Sequence, residues 1–176
     1  MISKKLKYII LPAAIFTGVC LFIIYKQFFG LNVQPKGEKA TIYIPEEASY
    51  DQAMDSVEAN LIIKNKKMLQ WVAGKKKYQK LVKPGKYVID RPLSYNELIN
   101  ILRGGKQTPL RITINNVRTL NELAGRIGGL IEADSAEIMD FFSDPGNYGD
   151  DGFNIENVIS VFIPDTYEFY WSTRAG

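Results

Sequence analysis

The sequence predicts an α+β protein that follows an N-terminal membrane helix. Three observations support this prediction: an apolar run at the N-terminus, short alternating segments typical of strands, and amphipathic segments that begin with helix-capping residues. These strands and helices follow one another without the regular strand-helix-strand rhythm of a parallel sheet. The order therefore favours the α+β class.

Composition limits the chemistry that the chain can carry. Its 176 residues suffice for about one full domain and part of another. The net charge is only +3, from 22 basic and 19 acidic residues, so no global field favours nucleic acid. The chain has no histidine, which excludes Ser-His and Cys-His nucleophiles and the commonest zinc sites. Its one cysteine, Cys20, cannot form an intramolecular disulfide.

The N-terminal segment has the pattern of an uncleaved membrane anchor. Lys4, Lys5 and Lys7 precede an uncharged stretch over residues 8–25, which is long enough to span a bilayer. Bulky residues follow it where a signal peptide would have a small-residue cleavage site. The lysines should stay in the cytoplasm. We therefore expect residues 1–30 to form a cytoplasmic tip and a single transmembrane helix in the cytoplasmic membrane, with the rest of the chain outside.

Behind the anchor, residues 31–39 have linker composition, and a first strand is predicted over residues 41–44. A helix with a capping box at Ser49 follows the strand. A shorter helix is predicted from about residue 66 to residue 73, ending at Gly74. The dipeptide Pro84-Gly85 then introduces a second strand, so the predicted order is strand-helix-helix-strand.

The next part of the chain repeats one pattern twice. A capped helix that begins after Ser94 and ends at Gly104-Gly105 is echoed by one that begins after Thr119 and ends at Gly128-Gly129. In each copy a glutamate stands three residues after the cap, so a reciprocal capping box is expected. Residues 110–114 alternate between apolar and polar side chains, as a half-buried strand does.

Two segments are candidates for binding. A basic patch comprises Lys75, Lys76, Lys77 and Lys80. Anionic lipid headgroups, the carboxylates of peptidoglycan stem peptides or an acidic protein are sensible partners, and a solvated loop without a ligand is the alternative.

The C-terminal segment combines aromatic residues with two carboxylates, a mixture that suits a carbohydrate groove. The alternative is a core strand over residues 158–163 followed by a turn. The candidate groove residues are Asp165, Thr166, Tyr167, Glu168 and Trp171.

Several motifs together resemble the YceG-like endolytic transglycosylases, and the resemblance runs from the anchor to the last residue. They are Val82-Lys83-Pro84-Gly85-Lys86-Tyr87, Leu93-Ser94, Leu102-Arg103-Gly104-Gly105, Arg111-Ile112-Thr113-Ile114, Leu120-Asn121-Glu122-Leu123-Ala124 and Ile163-Pro164-Asp165-Thr166-Tyr167-Glu168-Phe169. The resemblance implies a LysM-like β-α-α-β module over residues 40–108. It also implies that residues 109–176 begin an α+β catalytic domain.

The same resemblance implies an activity. Proteins of this family cleave nascent glycan strands between N-acetylmuramic acid and N-acetylglucosamine and leave 1,6-anhydro ends, with one catalytic glutamate and without metal or cofactor. That glutamate belongs to an Ile-Glu-Lys-Glu type of motif, which we expect beyond Gly176, so no catalytic residue is assigned here and whether this chain is itself an active enzyme stays open. The implied partners are glycan strands, the lipid of the cytoplasmic membrane and cell-wall synthases.

Two other functions compete with this one. The chain could be a non-catalytic, membrane-anchored protein that binds glycan in the cell envelope. An older label of the family, a pyridoxal-phosphate-dependent aminodeoxychorismate lyase, would require a Schiff-base lysine in a cytosolic enzyme. The predicted membrane helix argues against that label.

Overall fold

The structure, a computed structural model, describes residues 4–174. Its first helix, α1, spans Lys4–Phe29. Residues 1–3 of the predicted cytoplasmic tip, and the side chains of the first lysines, lie outside the described set. Within the described part of the chain, no helix has both the length and the apolar character that a membrane span requires.

The remaining elements are short strands and short helices. In chain order they are β1 (Val33–Pro35), β2 (Ala40–Ile44), α2 (Tyr50–Asn60), β3 (Leu61–Ile63), α3 (Lys66–Lys75), β4 (Gly85–Ile89), α4 (Tyr95–Gly104), β5 (Leu110–Ile114), α5 (Leu120–Gly128), α6 (Ser135–Ser143) and β6 (Asp165–Phe169). The strands form three antiparallel pairs, β1 with β3, β2 with β4 and β5 with β6. This mixture confirms the predicted α+β class.

The first unit, from β1 to α4, has its own hydrophobic core. Strands β2 and β4 pair in the register Ala40↔Ile89 to Ile44↔Gly85, and α2 and α3 lie between them in the chain. The inward-facing Ile42 and Tyr87 are fully buried. The predicted strand-helix-helix-strand order is therefore present, with the short strand β3 added between the helices.

The segment expected to be a linker is part of this first unit. Residues 33–35 form β1 and pair with β3, and Val33 is fully buried in the core. The backbone N–H groups of Asn32 and Val33 both donate to the carbonyl of Leu93. Linker composition predicted a linker here, whereas the pairing of β1 with β3 and the burial of Val33 hold the segment in the fold.

The second unit, from β5 to β6, packs α5 and α6 against the apolar face of the β5-β6 pair. Its core includes Ile112, Leu123 and Phe142. The C-terminal part contradicts the alternative of a core strand over residues 158–163 followed by a turn. Residues 158–161 form a 3-10 helix, and strand β6 begins where the turn was expected.

The predicted caps are present, with one difference. Ser49 and Gln52 form the full reciprocal box. Ser94 and Thr119 accept the backbone N–H groups of Glu97 and Glu122, at 3.1 and 3.2 Å.

The two glutamates do not complete the box. The carboxylate of Glu97 pairs instead with Arg91, and that of Glu122 accepts the N–H of Arg118. Nearby cationic or backbone donors therefore took the place of the reciprocal bond.

Candidate functional site

Strand β6 carries most of the predicted groove residues. It pairs with β5 in the register Arg111↔Glu168 and Thr113↔Thr166. Successive side chains on a strand point to opposite faces of the sheet. The segment is therefore a sheet strand whose residues are divided between two faces.

Thr166 and Glu168 lie on the exposed face. The hydroxyl groups of Thr166 and Thr113 are 2.9 Å apart, and Glu168 Oε1 lies 3.0 Å from Arg111 Nε in an ion pair that is exposed on both sides. A general acid must carry a proton, which burial or a neighbouring like charge normally maintains. Glu168 is exposed and lies next to a cation, so its position suits pairing across the strands better than proton donation.

Tyr167 lies on the opposite face and packs against the second core, where its hydroxyl donates to the carbonyl of Ile163 at 2.7 Å. The carboxylate of Asp165 accepts the backbone N–H of Thr166 at 2.7 Å. Both groups have local bonding partners that stabilise the turn into β6. They do not converge with Glu168 on one surface.

Trp171 lies apart from the strand, against the first unit. Its ring centroid is 5.0 Å from that of Tyr43, with the two planes inclined at 60°. The ammonium group of Lys86 lies 5.9 Å from the Tyr43 ring. The five residues predicted as one groove are thus distributed over both faces of β6 and the contact between the units.

An open cleft of about 700 Å³ lies beside that contact. Glu132 Oε1 accepts the backbone N–H of Glu46 at 3.0 Å, and Arg174 forms an ion pair with Glu46. The sequence pattern did not indicate this site, because its lining residues come from three segments that are far apart in the chain, residues 45–47, 132–137 and 172–174. The cleft is lined by Pro45, Glu46, Glu47, Glu132, Ala133, Glu137, Ser172, Thr173 and Arg174.

The structure places the predicted basic patch where α3 ends. The ammonium group of Lys75 lies 5.5 Å from the centroid of the Trp71 ring, and Lys76 Nζ donates to Asn100 Oδ1 at 2.8 Å. Lys77 and Lys80 are exposed. The four lysines are therefore close together, on the surface next to α4.

Two buried tyrosines support the loop that follows the patch. Tyr78 and Tyr87 are fully buried, and the Tyr87 hydroxyl donates to the carbonyls of Lys83 and Pro84, at 2.9 and 3.2 Å. Burial raises the pKa of Tyr87 to about 12. Burial also raises the pKa of Tyr78, with smaller contributions from Tyr87 and Tyr50. Both phenols are therefore neutral at physiological pH and anchor the loop rather than titrate.

Among the described residues, no group of histidine, cysteine, aspartate or glutamate side chains could hold a metal ion. Ser94 is the one buried polar or charged residue in the part of the chain whose burial is described, and it is occupied as a helix cap.

Comparison with known proteins identifies the family. The sequence profile of the YceG-like family matches residues 42–176, which is well over half of the chain. No curated protein sequence matches. A crystal structure of a YceG-like protein from Listeria monocytogenes matches with 20% identity and a TM-score of 0.38; the match covers 75% of this chain and 48% of that one. This chain thus spans about half the length of that protein, and, on the profile match, it belongs to the YceG-like family.

Proposed function

We propose that this chain is a member of the peptidoglycan-processing machinery, of the endolytic transglycosylase type. The observation that carries the proposal is the match of the YceG-like family over residues 42–176, which includes most of the first unit and all of the second. In this reaction an acid protonates the glycosidic oxygen as its bond to the muramic acid breaks. The C6 hydroxyl of the muramic acid closes the anhydro ring and releases its proton, so no water is consumed.

The first unit is the proposed glycan-binding module. Support comes from its topology, in which two antiparallel strands, β2 and β4, enclose α2 and α3 in the chain. A LysM-like module has this strand-helix-helix-strand order. Exposed aromatic side chains, among them Trp71, are available to lie against sugar rings.

The second unit is the proposed beginning of the catalytic domain. Asp165 and Glu168 are not proposed as the catalytic acid. Their surroundings support this choice, because Asp165 accepts a backbone N–H and Glu168 pairs with Arg111 on the surface. The role proposed for both carboxylates is to stabilise β6.

The proposed location is the outer side of the cytoplasmic membrane, with α1 as the anchor. The basic residues before the apolar run support this orientation. Glycan strands and membrane lipid are then the nearest partners, and cell-wall synthases are proposed as protein partners.

A second candidate function is glycan binding without catalysis. One observation favours it: within the described residues, no carboxylate is buried in the way that a protonated catalytic acid usually is. The two functions share a ligand and differ in the product.

The experiment is to incubate the 176-residue chain, in detergent, with uncrosslinked glycan strands. Sedimentation measures binding, and mass spectrometry detects anhydro-muramyl ends. We expect binding without anhydro ends, since Asp165 and Glu168 have local partners and neither is proposed as the acid. Anhydro ends would show that an acid lies within the 176 residues, and absence of binding would contradict the glycan-binding proposal.

A further inference from the structure

Two segments of the chain carry basic side chains and no acidic ones. Residues 59–89 contain nine lysines and no aspartate or glutamate, and residues 98–121 contain four basic residues and again no acidic one. Segments with this composition repel each other's side chains unless an external anion is present. The fold nevertheless brings parts of both segments together.

Contacts between α3, α4 and the loop before β4 define one face of the first unit. Lys76 bonds to Asn100 on α4, and Arg103 lies one turn further along the same side of that helix. The side chain of Lys83 lies beside Gly105 at the end of α4, 3.5 Å from where a Cβ would stand. We call this surface the cationic face; it comprises Lys75, Lys76, Lys77, Lys80, Lys83, Arg103 and Lys106.

Internal partners do not explain the charge. Each of the five ion pairs found among the described residues uses a cation outside the cationic face. Lys75 and Arg103 stand in the last turns of α3 and α4, where cations complement the helix dipole. That effect does not extend to Lys80 and Lys83, which lie beyond the helices.

Lys77 adds a separate observation. Its backbone is left-handed, with φ of 56°, a conformation in which glycine or asparagine is relaxed and lysine is not. A cationic side chain thus occupies a position whose backbone conformation favours glycine or asparagine. Strained residues of this kind are concentrated at binding sites.

We propose that the cationic face binds the carboxylates of the stem peptides on a glycan strand. Trp71 favours a glycan over an acidic protein, because its half-exposed ring lies next to Lys75 and combines a surface for a sugar with a cation for an acid. The inference rests on the proposed function and specifies which part of the strand the first unit recognises.

The test compares two triple variants of the whole chain in sedimentation with uncrosslinked strands. Lys77→Gln/Lys80→Gln/Lys83→Gln removes three charges from the cationic face, and Lys39→Gln/Arg111→Gln/Arg118→Gln removes three exposed charges elsewhere. On strands with stem peptides, we expect roughly tenfold weaker binding for the first variant and less than twofold for the second. On strands whose stem-peptide carboxylates have been converted to neutral amides by carbodiimide coupling with methylamine, all three proteins should bind equally, at the weaker level.

Four outcomes separate the possibilities. Equal binding by the two variants on peptide-bearing strands would overturn the inference and leave the proposed function intact. An equal loss on the amidated strands would overturn it as well, because the lysines would then contact groups other than the carboxylates. Binding of anionic phospholipid vesicles that depends on the same lysines would assign the face to lipid. No binding of either strand by the unaltered chain would refute the proposed function itself.

A third variant guards against unfolding as an explanation. Lys77→Gly removes one charge and relaxes the left-handed backbone, so thermal stability should be unchanged or higher while binding to peptide-bearing strands falls two- to threefold. Reduced stability together with reduced binding would instead give the lysine a structural role and contradict the inference.

Discussion

The rings of Tyr43 and Trp171 lie 5.0 Å apart, inclined at 60°, and join the outward face of β2 to the chain beyond β6. Two hydrogen bonds accompany the contact: Gln107 Nε2 donates to Ser172 Oγ at 2.9 Å, and the N–H of Glu132 donates to the Trp171 carbonyl at 2.7 Å. The residues that follow β6 therefore hold the two units together.

Replacing Trp171 with alanine should loosen this contact. Loss of a half-buried aromatic partner removes apolar area and the ring interaction, and we expect about 1–2 kcal/mol lower stability. Hydrogen exchange at the backbone of residues 43–47 should accelerate. Tyr170→Ala is the control, since that ring is 54% exposed, and it should cost less than about 0.5 kcal/mol. Equal effects of the two substitutions would contradict the docking role.

The two buried tyrosines should respond in opposite directions to loss of the hydroxyl. Within the described residues, the Tyr78 hydroxyl is buried without a hydrogen-bond partner, whereas that of Tyr87 donates to two carbonyls. Tyr78→Phe should therefore stabilise the fold by about 1 kcal/mol, and Tyr87→Phe should destabilise it by about 1 kcal/mol. Urea unfolding of both variants measures the difference. A stability loss in Tyr78→Phe would show that its hydroxyl has a partner.

Alkaline pH should unfold the first unit through the same residues. Burial raises the pKa of Tyr87 from its ordinary value of 10.0 to about 12, so the folded state binds the phenolic proton more tightly than the unfolded state. The stabilisation is complete below pH 10 and is lost as the pH rises towards 12. Tyr87→Phe should flatten this decline in unfolding free energy by about 1.4 kcal/mol per pH unit, whereas Tyr170→Phe should leave it unchanged. An equal decline in both variants would contradict the assignment.

Each of the helices α4 and α5 ends at a pair of glycines, and only one glycine of each pair should be needed for stability. That glycine is the second of the pair in α4, Gly105, and the first of the pair in α5, Gly128. Gly105 has a left-handed φ of 64°, whereas a Cβ at Gly128 would lie 2.5 Å from the backbone nitrogen of Ser135. Gly105→Ala should cost about 1 kcal/mol and Gly128→Ala about 2 kcal/mol or more.

Their neighbours serve as matched controls. Gly104 and Gly129 have room for a methyl group and no left-handed backbone, so alanine at either position should be neutral or slightly stabilising. Thermal unfolding of the four variants measures their relative stabilities. A large loss of stability in Gly104→Ala would contradict the explanation from local backbone conformation and space.

The sequence signals that succeeded were local ones. Capping residues and helical spacing predicted α2, α4 and α5, because each helix start is determined within four residues. Helix α3 was placed correctly at its start but extends past the predicted stop at Gly74, because the chain leaves the helix at Lys77 instead. Glycine alone therefore did not mark the end of that helix.

Features that depend on distant parts of the chain were missed. Val33 lies in a segment of linker composition, and only its pairing with β3 and Leu93 buries it. The aromatic segment was expected to form one groove, but pairing with β5, more than fifty residues earlier, divides Thr166 and Tyr167 between two faces. The cleft beside Glu46 and Arg174 likewise exists only after the units dock.

The first unit is proposed to bind glycan strands. The most direct measurement is hydrogen exchange along the whole chain, with and without uncrosslinked strands at saturating concentration. We predict slower exchange in the first unit, concentrated in the segments around α3 and the loop before β4, and little change in β5 and β6. Slower exchange confined to residues 163–171, or no change anywhere in the first unit, would contradict the claim.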